Sequence, residues 1–192
     1  MPSILITGAN RGLGLGFARK AAGEGWRVYA ACRAPDHASD LRAVGGDIRI
    51  VRIDVADHAS VDAAARELAG EPIDVLVNNA GVYGGPRQAF GSVDYDHWAS
   101  ALRVNTMGPL KITEAFADHL VRGERKLVVA VSSYMASIAE TGSGYLVYRT
   151  SKAALNMAMR CLAVDLRERG FIVVSLAPGW VKTGIGGPDA PV

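Results

Sequence analysis

The sequence predicts one α/β domain, a single doubly wound parallel sheet of the Rossmann type with helices on both faces. Three observations carry this. Short apolar, β-branched runs alternate with longer stretches of helical period along the whole chain. Several runs are apolar throughout, as in Leu127-Val128-Val129-Ala130-Val131, which suits strands covered on both faces. Glycine makes up 22 of the 192 residues, above the usual ~7%. It sits at separate positions, the first in a loop directly after the first apolar run.

The elements follow in order. Ile4–Thr7 reads as a strand ending at Gly8, so the amino terminus carries no signal-peptide pattern. Helical periods near 12–24, 38–44, 58–69, 95–121 and 148–168 alternate with strands at Arg27–Ala31, Ile48–Ile53, Val75–Val77, Lys126–Val131 and Ile172–Leu176. Asp57 is placed to cap the 58–69 helix. Trp98, Ala101, Leu102, Ile112, Phe116 and Leu120 mark the apolar face of the 95–121 helix. Gly123 and Gly170 each follow a helix and precede a strand, as helix C-caps do. No linker interrupts the pattern, so residues 1–192 form one domain.

Composition excludes several classes. Hydrophobic residues are 49%, charged residues 21%, and the net charge is +2. That balance is ordinary for a globular protein and gives no reason to expect nucleic acid or a membrane surface as partner. No run approaches the ~18 apolar residues a membrane span needs. Cys32 and Cys161 are far apart and lack CxxC spacing, so they are expected as reduced, buried thiols in a cytoplasmic protein. His37, His58, His97 and His119 show no metal-ligand spacing and read as surface or cap residues; no metal is expected.

Thr7-Gly8-Ala9-Asn10-Arg11-Gly12-Leu13-Gly14 lies between the first strand and the first helix, with GxxxGxG spacing. Gly8 lets the chain turn, Gly12 admits backbone to a phosphate, and Gly14 lets the helix pack on the strand, which points to a dinucleotide. Sites for NAD usually place an acid ~20 residues further on to hold the ribose 2′-hydroxyl. Here the second strand ends in Cys32-Arg33 without one, and Arg11 supplies a second guanidinium. Two arginines and no acid favour a 2′-phosphate, hence NADPH over NADH. Asp54-Val55 closes the third strand, where a carboxylate either meets an adenine amino group or serves the loop. Asn78-Asn79-Ala80-Gly81 closes the fourth, at the sheet edge where such ligands bind.

Tyr148 and Lys152 stand at i,i+4 and share a helix face. A phenol near pKa ~10 is a poor proton donor and acceptor at neutral pH; a nearby ammonium lowers that value. Tyr145 has no lysine at i+4. Ser132 and Ser133 end the fifth strand, where a hydroxyl can donate to a carbonyl oxygen. Asn105 falls on the apolar face of the 95–121 helix, so its amide needs buried partners. Pro109, at i+4, has no N–H, which frees the Asn105 carbonyl to hold a water.

The Thr7–Gly14 loop, Asn78–Gly81, Asn105, Ser133, Tyr148-Arg149-Thr150-Ser151-Lys152 and Pro178-Gly179-Trp180-Val181-Lys182-Thr183 together resemble the short-chain dehydrogenase/reductase family, from Thr7 to Thr183. The stretches after Ser132 and Pro178 are most similar to its C-factor-like carbonyl reductase branch. The resemblance implies an NADP-dependent carbonyl reductase or alcohol dehydrogenase acting on a small molecule. Tyr148 would be the general acid or base, Lys152 its helper and a holder of the nicotinamide ribose, Ser133 the donor to the substrate oxygen, and Asn105 the holder of a relay water. Cofactor contacts would come from Gly8, Asn10, Arg11, Gly12, Leu13 and Gly14. Arg33, Asp54, Val55, Asn79, Ala80 and Gly81 would add theirs. Pro178, Gly179, Val181 and Thr183 would hold the nicotinamide end, and Trp180 either packs or lines the pocket. The Ser133–Tyr148 interval is longer than is commonest in the family, which keeps Ser132 open as the alternative serine. Relatives continue past this stretch with a further strand, so the resemblance implies a missing C-terminal strand, with an open pocket or a truncated chain. Assembly as a homodimer or homotetramer through helices 95–121 and 148–168 is implied too. The branch also keeps a non-catalytic, NADP-binding signalling or regulatory role as an alternative.

Overall fold

The computed structural model describes residues 1–191. In chain order the elements are β1 (Ser3–Thr7), α1 (Gly12–Gly23), β2 (Arg27–Cys32), α2 (Ser39–Arg42), β3 (Ile48–Arg52), α3 (His58–Glu67) and β4 (Val75–Asn78). Then come α4 (Tyr95–Leu102), α5 (Gly108–Ala115), α6 (Ala117–Arg122), β5 (Leu127–Val131), α7 (Leu146–Asp165) and β6 (Ile172–Leu176). The six strands form one sheet in the order β3-β2-β1-β4-β5-β6, and every pairing is parallel. All six strands lie where the apolar runs predict them.

The register explains why. Leu5 pairs with Tyr29 and Leu76, and Leu76 with Val128, so these residues share one face. There they meet Ile112, Phe116, Leu120, Leu155 and Met159 from the helices. Ile4, Ile6, Val28, Val75 and Val77 point the other way, onto Leu15, Ala18, Ala22 and Leu41. Residues of β1 and β4 are buried throughout because both faces are covered. The edge strand β6 is covered on one face only: Val173 packs on the core, while Ile172, Val174 and Leu176 are exposed.

Five readings are corrected. The 95–121 helix is three helices. Arg103–Met107 forms a π turn in which the Gly108 N–H reaches the Arg103 carbonyl, and Phe116 (φ −101°, ψ 10°) separates α5 from α6. A proline at 109 supplies no N–H to the regular ladder, and the extra residue of the π turn places it in the first turn of α5, where it is tolerated. The final helix begins at Leu146. Gly123 is extended (φ −74°, ψ 161°); glycine is required there because a Cβ would overlap the Ile73 carbonyl. Cys161 is exposed. His119 is buried, with Nε2 3.0 Å from the Leu68 carbonyl. The Asp57 cap forms as expected, on the Ala59 N–H, and Gly170 is left-handed (φ 76°) as a C-cap requires.

Candidate active site

The sheet winds outward from β1 to β3 and then returns to β4 beside β1. Such a reversal opens a crevice at the carboxyl ends of the two central strands, where ligands bind in open α/β sheets. Gly8 (φ 65°) and Gly12 (φ 52°) take the left-handed conformation that turns the chain out of β1. The Thr7 hydroxyl accepts from the N–H groups of Asn79 (3.0 Å) and Ala80 (3.1 Å). In return the Asn79 amide donates to the carbonyls of Thr7 (2.9 Å) and Gly8 (3.2 Å). The exits of β1 and β4 are thus stitched together. A Cβ at Gly14 would overlap the Gly8 carbonyl, which is how α1 can start so close to the strand.

Arg11, the N-cap of α1, gives no side-chain cap, so the first N–H groups of that helix are available to an anion at the crevice. Arg11 and Arg33 are exposed, and among the described residues neither is in an ion pair. Asn10 and Leu13 are half-buried, and Leu13 packs against the core. Arg33 and Asp54 follow the adjacent ends of β2 and β3. One Asp54 oxygen is held by the Ala56 N–H at 3.0 Å, the loop role that the sequence left open. Val55 is buried, its carbonyl against Gly108.

Beyond β6, Gly179 (φ 85°) turns the chain back toward the glycine loop. The Thr183 methyl lies 3.2 Å from where a Gly12 Cβ would be. Lys182, Thr183, Gly184, Gly187 and Pro188 line an open cleft of about 540 Å³ there. The Thr183 hydroxyl accepts from Gly186 (3.0 Å), and a Cβ at Gly186 would overlap the Val181 carbonyl. Pro178 is half-buried at the start of this turn. Trp180 neither packs inside nor closes a pocket: it is 58% exposed and its indole donates to the Gly186 carbonyl at 2.7 Å. The glycines, the open α1 terminus and the unpaired arginines fit a phosphate-bearing dinucleotide.

The second half of the site gathers at Gly81. A Cβ on Gly81 would lie 3.2 Å from Asn105 Oδ1 and 3.6 Å from Lys152 Nζ. Asn105 is wholly buried. Its Oδ1 accepts from the Val82 N–H (2.8 Å), and its Nδ2 donates to the Val82 carbonyl and to Ser151 Oγ (2.9 Å each). Tyr148 and Lys152 are buried on one face of α7. Lys152 Nζ donates to the Val131 carbonyl at 2.7 Å, at the end of β5, and lies 5.9 Å from the Tyr148 ring centroid. Of the two serines that the sequence left open, the Ser133 hydroxyl accepts from the Met135 N–H at 3.1 Å and lowers the pKa of Tyr148, whereas the buried Ser132 hydroxyl has no partner. Tyr145, left-handed at φ 55°, is half exposed, with its ring 5.8 Å from that of Tyr83.

The electrostatics differ from the expectation of an ammonium that lowers the phenol. Burial pushes Tyr148 above its ordinary value, and the Ser133 hydroxyl pulls the other way. Burial also brings Lys152 down from 10.5 to about 8. Lys152 therefore releases its proton more readily than an exposed lysine.

Sequence reasoning missed two residues, Gln88 and Ser151. Gln88 Oε1 accepts from the Tyr148 N–H (2.9 Å), and Ser151 Oγ donates to the Tyr148 carbonyl (2.8 Å). Nothing in the spacing around Gln88 signals this contact. Asp94, which caps α4 through the N–H groups of Asp96 and His97, was readable from its place before an apolar period.

Comparison with known proteins gives a consistent family. The model of the short chain dehydrogenases matches residues 2–190. C-signal of Myxococcus xanthus is 48% identical over 129 residues, 67% of this chain and 77% of that protein. An uncharacterized oxidoreductase of Schizosaccharomyces pombe is 34% identical over 188 residues, 93% of this chain and 73% of that one. Among solved structures, a short-chain dehydrogenase/reductase of Burkholderia multivorans with bound NADP superposes with a TM-score of 0.91 at 34% identity, over 100% of this chain and 84% of that one. The carbonyl reductase Sniffer of D. melanogaster does so at 0.88 and 33%, over 100% and 86%. With the crevice, the glycine loop and the Asn105–Ser133–Tyr148–Lys152 cluster in place, this chain belongs to the short-chain dehydrogenase/reductase family of oxidoreductases.

Proposed function

We propose that the protein is an NADPH-dependent reductase of small carbonyl compounds, running in reverse on the corresponding alcohols. The observation that carries this is the meeting of Asn105 and Lys152 beside Gly81, with Tyr148 one turn before Lys152 on the buried face of α7 and Ser133 just past the end of β5. NADPH supplies the hydride when bound. The glycine loop with Asn10 and Leu13, Asn79–Gly81 and the Pro178–Thr183 turn would hold it, and Arg11 and Arg33 would grip its 2′-phosphate. Support comes from the NADP-bound Burkholderia multivorans neighbour and the NADPH-bound carbonyl reductase of chicken fatty liver, 33% identical with a TM-score of 0.87.

Tyr148 donates its phenolic proton to the substrate oxygen. Its raised pKa keeps it protonated at neutral pH, the state an acid needs. Ser133 donates a hydrogen bond to the same oxygen and stabilises the charge that grows there. Lys152, at about 8, reprotonates Tyr148, and the Asn105 backbone carbonyl holds the water that connects Lys152 to solvent. Residues 82–97 and 134–147, with the segment after Thr183, shape the substrate end. The described helices include none long and apolar enough to cross a membrane, and the proposed setting is the cytoplasm. Met157, Cys161 and Val164, at helical spacing on α7, are exposed, as is Met107 of the π turn, and a homodimer or homotetramer through these helices would bury them.

The test is loss of NADPH absorbance against aldehydes, ketones and quinones. Tyr148→Phe should lower turnover by ~10²-fold or more while NADPH affinity stays within about twofold, since the ring is retained. Unchanged turnover would reassign the proton donor, with Tyr145 next in line. The likeness to C-signal supports a second reading, an NADP-binding signalling protein without turnover. NADPH binding with no substrate reduced across the panel would favour it.

A further inference from the structure

Gln88 lies 60 positions before Tyr148 in the chain, in the segment between β4 and α4, yet it is buried against the first turn of α7. Its side-chain polar atoms are all engaged. Oε1 accepts from the Tyr148 N–H at 2.9 Å. Nε2 donates to the carbonyls of Tyr83 (3.0 Å) and Gly85 (2.8 Å). Its backbone carbonyl accepts from the Leu146 N–H at 3.1 Å.

The first turn of a helix has N–H groups without intrahelical acceptors. An N-cap side chain usually takes one, but Tyr145 gives α7 no such bond. Gln88 does that work from a distant segment. Gly84 (φ 91°) and Gly85 (φ 78°) allow the tight turn that brings two carbonyls onto one amide. A Cβ on Gly84 would overlap Val147, so this turn is seated directly on α7. The Tyr148 carbonyl is tied to the same segment from its other side, through Ser151 to Asn105 and on to Val82. The Tyr83 ring, 5.2 Å from that of Tyr148, completes the seat.

We infer that Gln88 is a positioning residue for catalysis: by gripping the Tyr148 peptide N–H and the Tyr83–Gly85 carbonyls with one amide, it fixes the phenol and the substrate-side segment relative to each other. The inference rests on reading Tyr148 as the proton donor. The Gln88 side chain makes no contact with the glycine loop or the Pro178–Thr183 turn, the cofactor contacts on the β1 and β6 sides of the crevice.

Gln88→Met keeps the length and removes every polar contact of the side chain. Its kcat should fall by about tenfold to 10²-fold, the scale of a misplaced catalytic group, with NADPH affinity within about twofold. Gln88→Glu keeps the acceptor for Tyr148 and loses the two donors, so its kcat should lie between wild type and Gln88→Met. In the wild-type protein the Tyr148 amide should exchange with deuterium at least about 10²-fold more slowly than an unprotected amide. That measurement decides the matter if Gln88→Met fails to fold. The inference is overturned by an unprotected Tyr148 amide in wild type, by wild-type kcat in Gln88→Met, or by parallel losses in kcat and NADPH affinity. Failure of the proton-donor reading shows separately, as turnover retained in Tyr148→Phe.

Discussion

The two sides of the crevice are held by different means. On the cofactor side the shape is made mainly by backbone, two left-handed glycines and a third glycine where a Cβ cannot fit, with one side-chain stitch, Thr7–Asn79, between neighbouring strand ends. On the proton-transfer side the shape is made by side chains reaching across the chain, Gln88 to Tyr148, Asn105 to Ser151 and Lys152 to Val131. Backbone rigidity suits a large ligand bound the same way each time. Side-chain ties suit a few reacting atoms that need exact separations, and they force ionisable groups into the interior. The physical mark of the difference is Lys152, 4% exposed and held by one carbonyl.

The sharpest way to break the comparison is to remove that ammonium. Lys152→Met should lower turnover by ~10²-fold or more and yet stabilise the cofactor-free protein at pH 7. A fall from 10.5 to about 8 corresponds to roughly 3 kcal/mol of unfavourable burial at ~1.4 kcal/mol per unit; losing the bond to Val131 returns about 1 kcal/mol of it. The net gain of roughly 2 kcal/mol should raise the melting temperature by about 4–8 °C. The unfolded chain holds the proton more tightly than the folded one. The penalty is therefore complete below the folded value of about 8 and fades as pH rises toward 10.5. The gap between variant and parent should close over that window in thermal melts. A variant less stable than its parent at pH 7 would show that Lys152 is a net support of the fold.

On the cofactor side the largest single effect should be electrostatic. Each arginine–phosphate contact is worth ~1.5–3 kcal/mol. NADPH should bind at least about tenfold tighter than NADH by titration calorimetry, and Arg33→Ala should remove most of the gap. Equal affinities in wild type would end the 2′-phosphate assignment and leave the dinucleotide crevice standing.

The stitch can be probed without touching charge. Thr7→Val is nearly isosteric at a residue 2% exposed and leaves the Asn79 and Ala80 N–H groups without their acceptor. It should destabilise by about 1–3 kcal/mol in denaturant melts and weaken NADPH binding, with kcat at saturating cofactor little changed. A kcat loss as large as that of Gln88→Met would mean the two sides are not separable.

What could be read in advance follows the same division. The six strands, the glycine loop and the Asp57 cap depend on neighbours in sequence, and local pattern reports them. Tyr148 with Lys152, the Ser132–Ser133 pair and Asn105 were singled out by spacing and position and given roles by family resemblance, and the structure places Asn105 and Lys152 together at Gly81 with Tyr148 on the same buried face of α7. Gln88 could not be read, because its partners are set by a turn at Gly84 and Gly85 and by a helix 60 positions on. The start of α7 was missed for a related reason: Tyr145 is left-handed and offers no capping side chain, so the usual start signal is absent. The break in the 95–121 helix was half visible. Pro109 announced a disturbance, but its form, a π turn seated against the Val55 carbonyl, depends on packing.

That break carries the smallest effect. In mid-helix a proline costs ~3 kcal/mol; after the π turn, with the Gly108 N–H already on the Arg103 carbonyl, Pro109 sits where a missing N–H matters little. Its own carbonyl accepts from the Thr113 hydroxyl at 2.7 Å, a bond that alanine would keep. Pro109→Ala should thus change stability by no more than about 1 kcal/mol. It would, however, add an N–H that can close onto the Asn105 carbonyl, the group proposed to hold the relay water, where the π turn relaxes to α spacing. Proton transfer should slow a fewfold, read as a larger solvent isotope effect on kcat with NADPH affinity unchanged. If the isotope effect and the pH–rate profile match wild type, the proline serves only to fit the helix to the sheet, and the side-chain network alone sets the proton path.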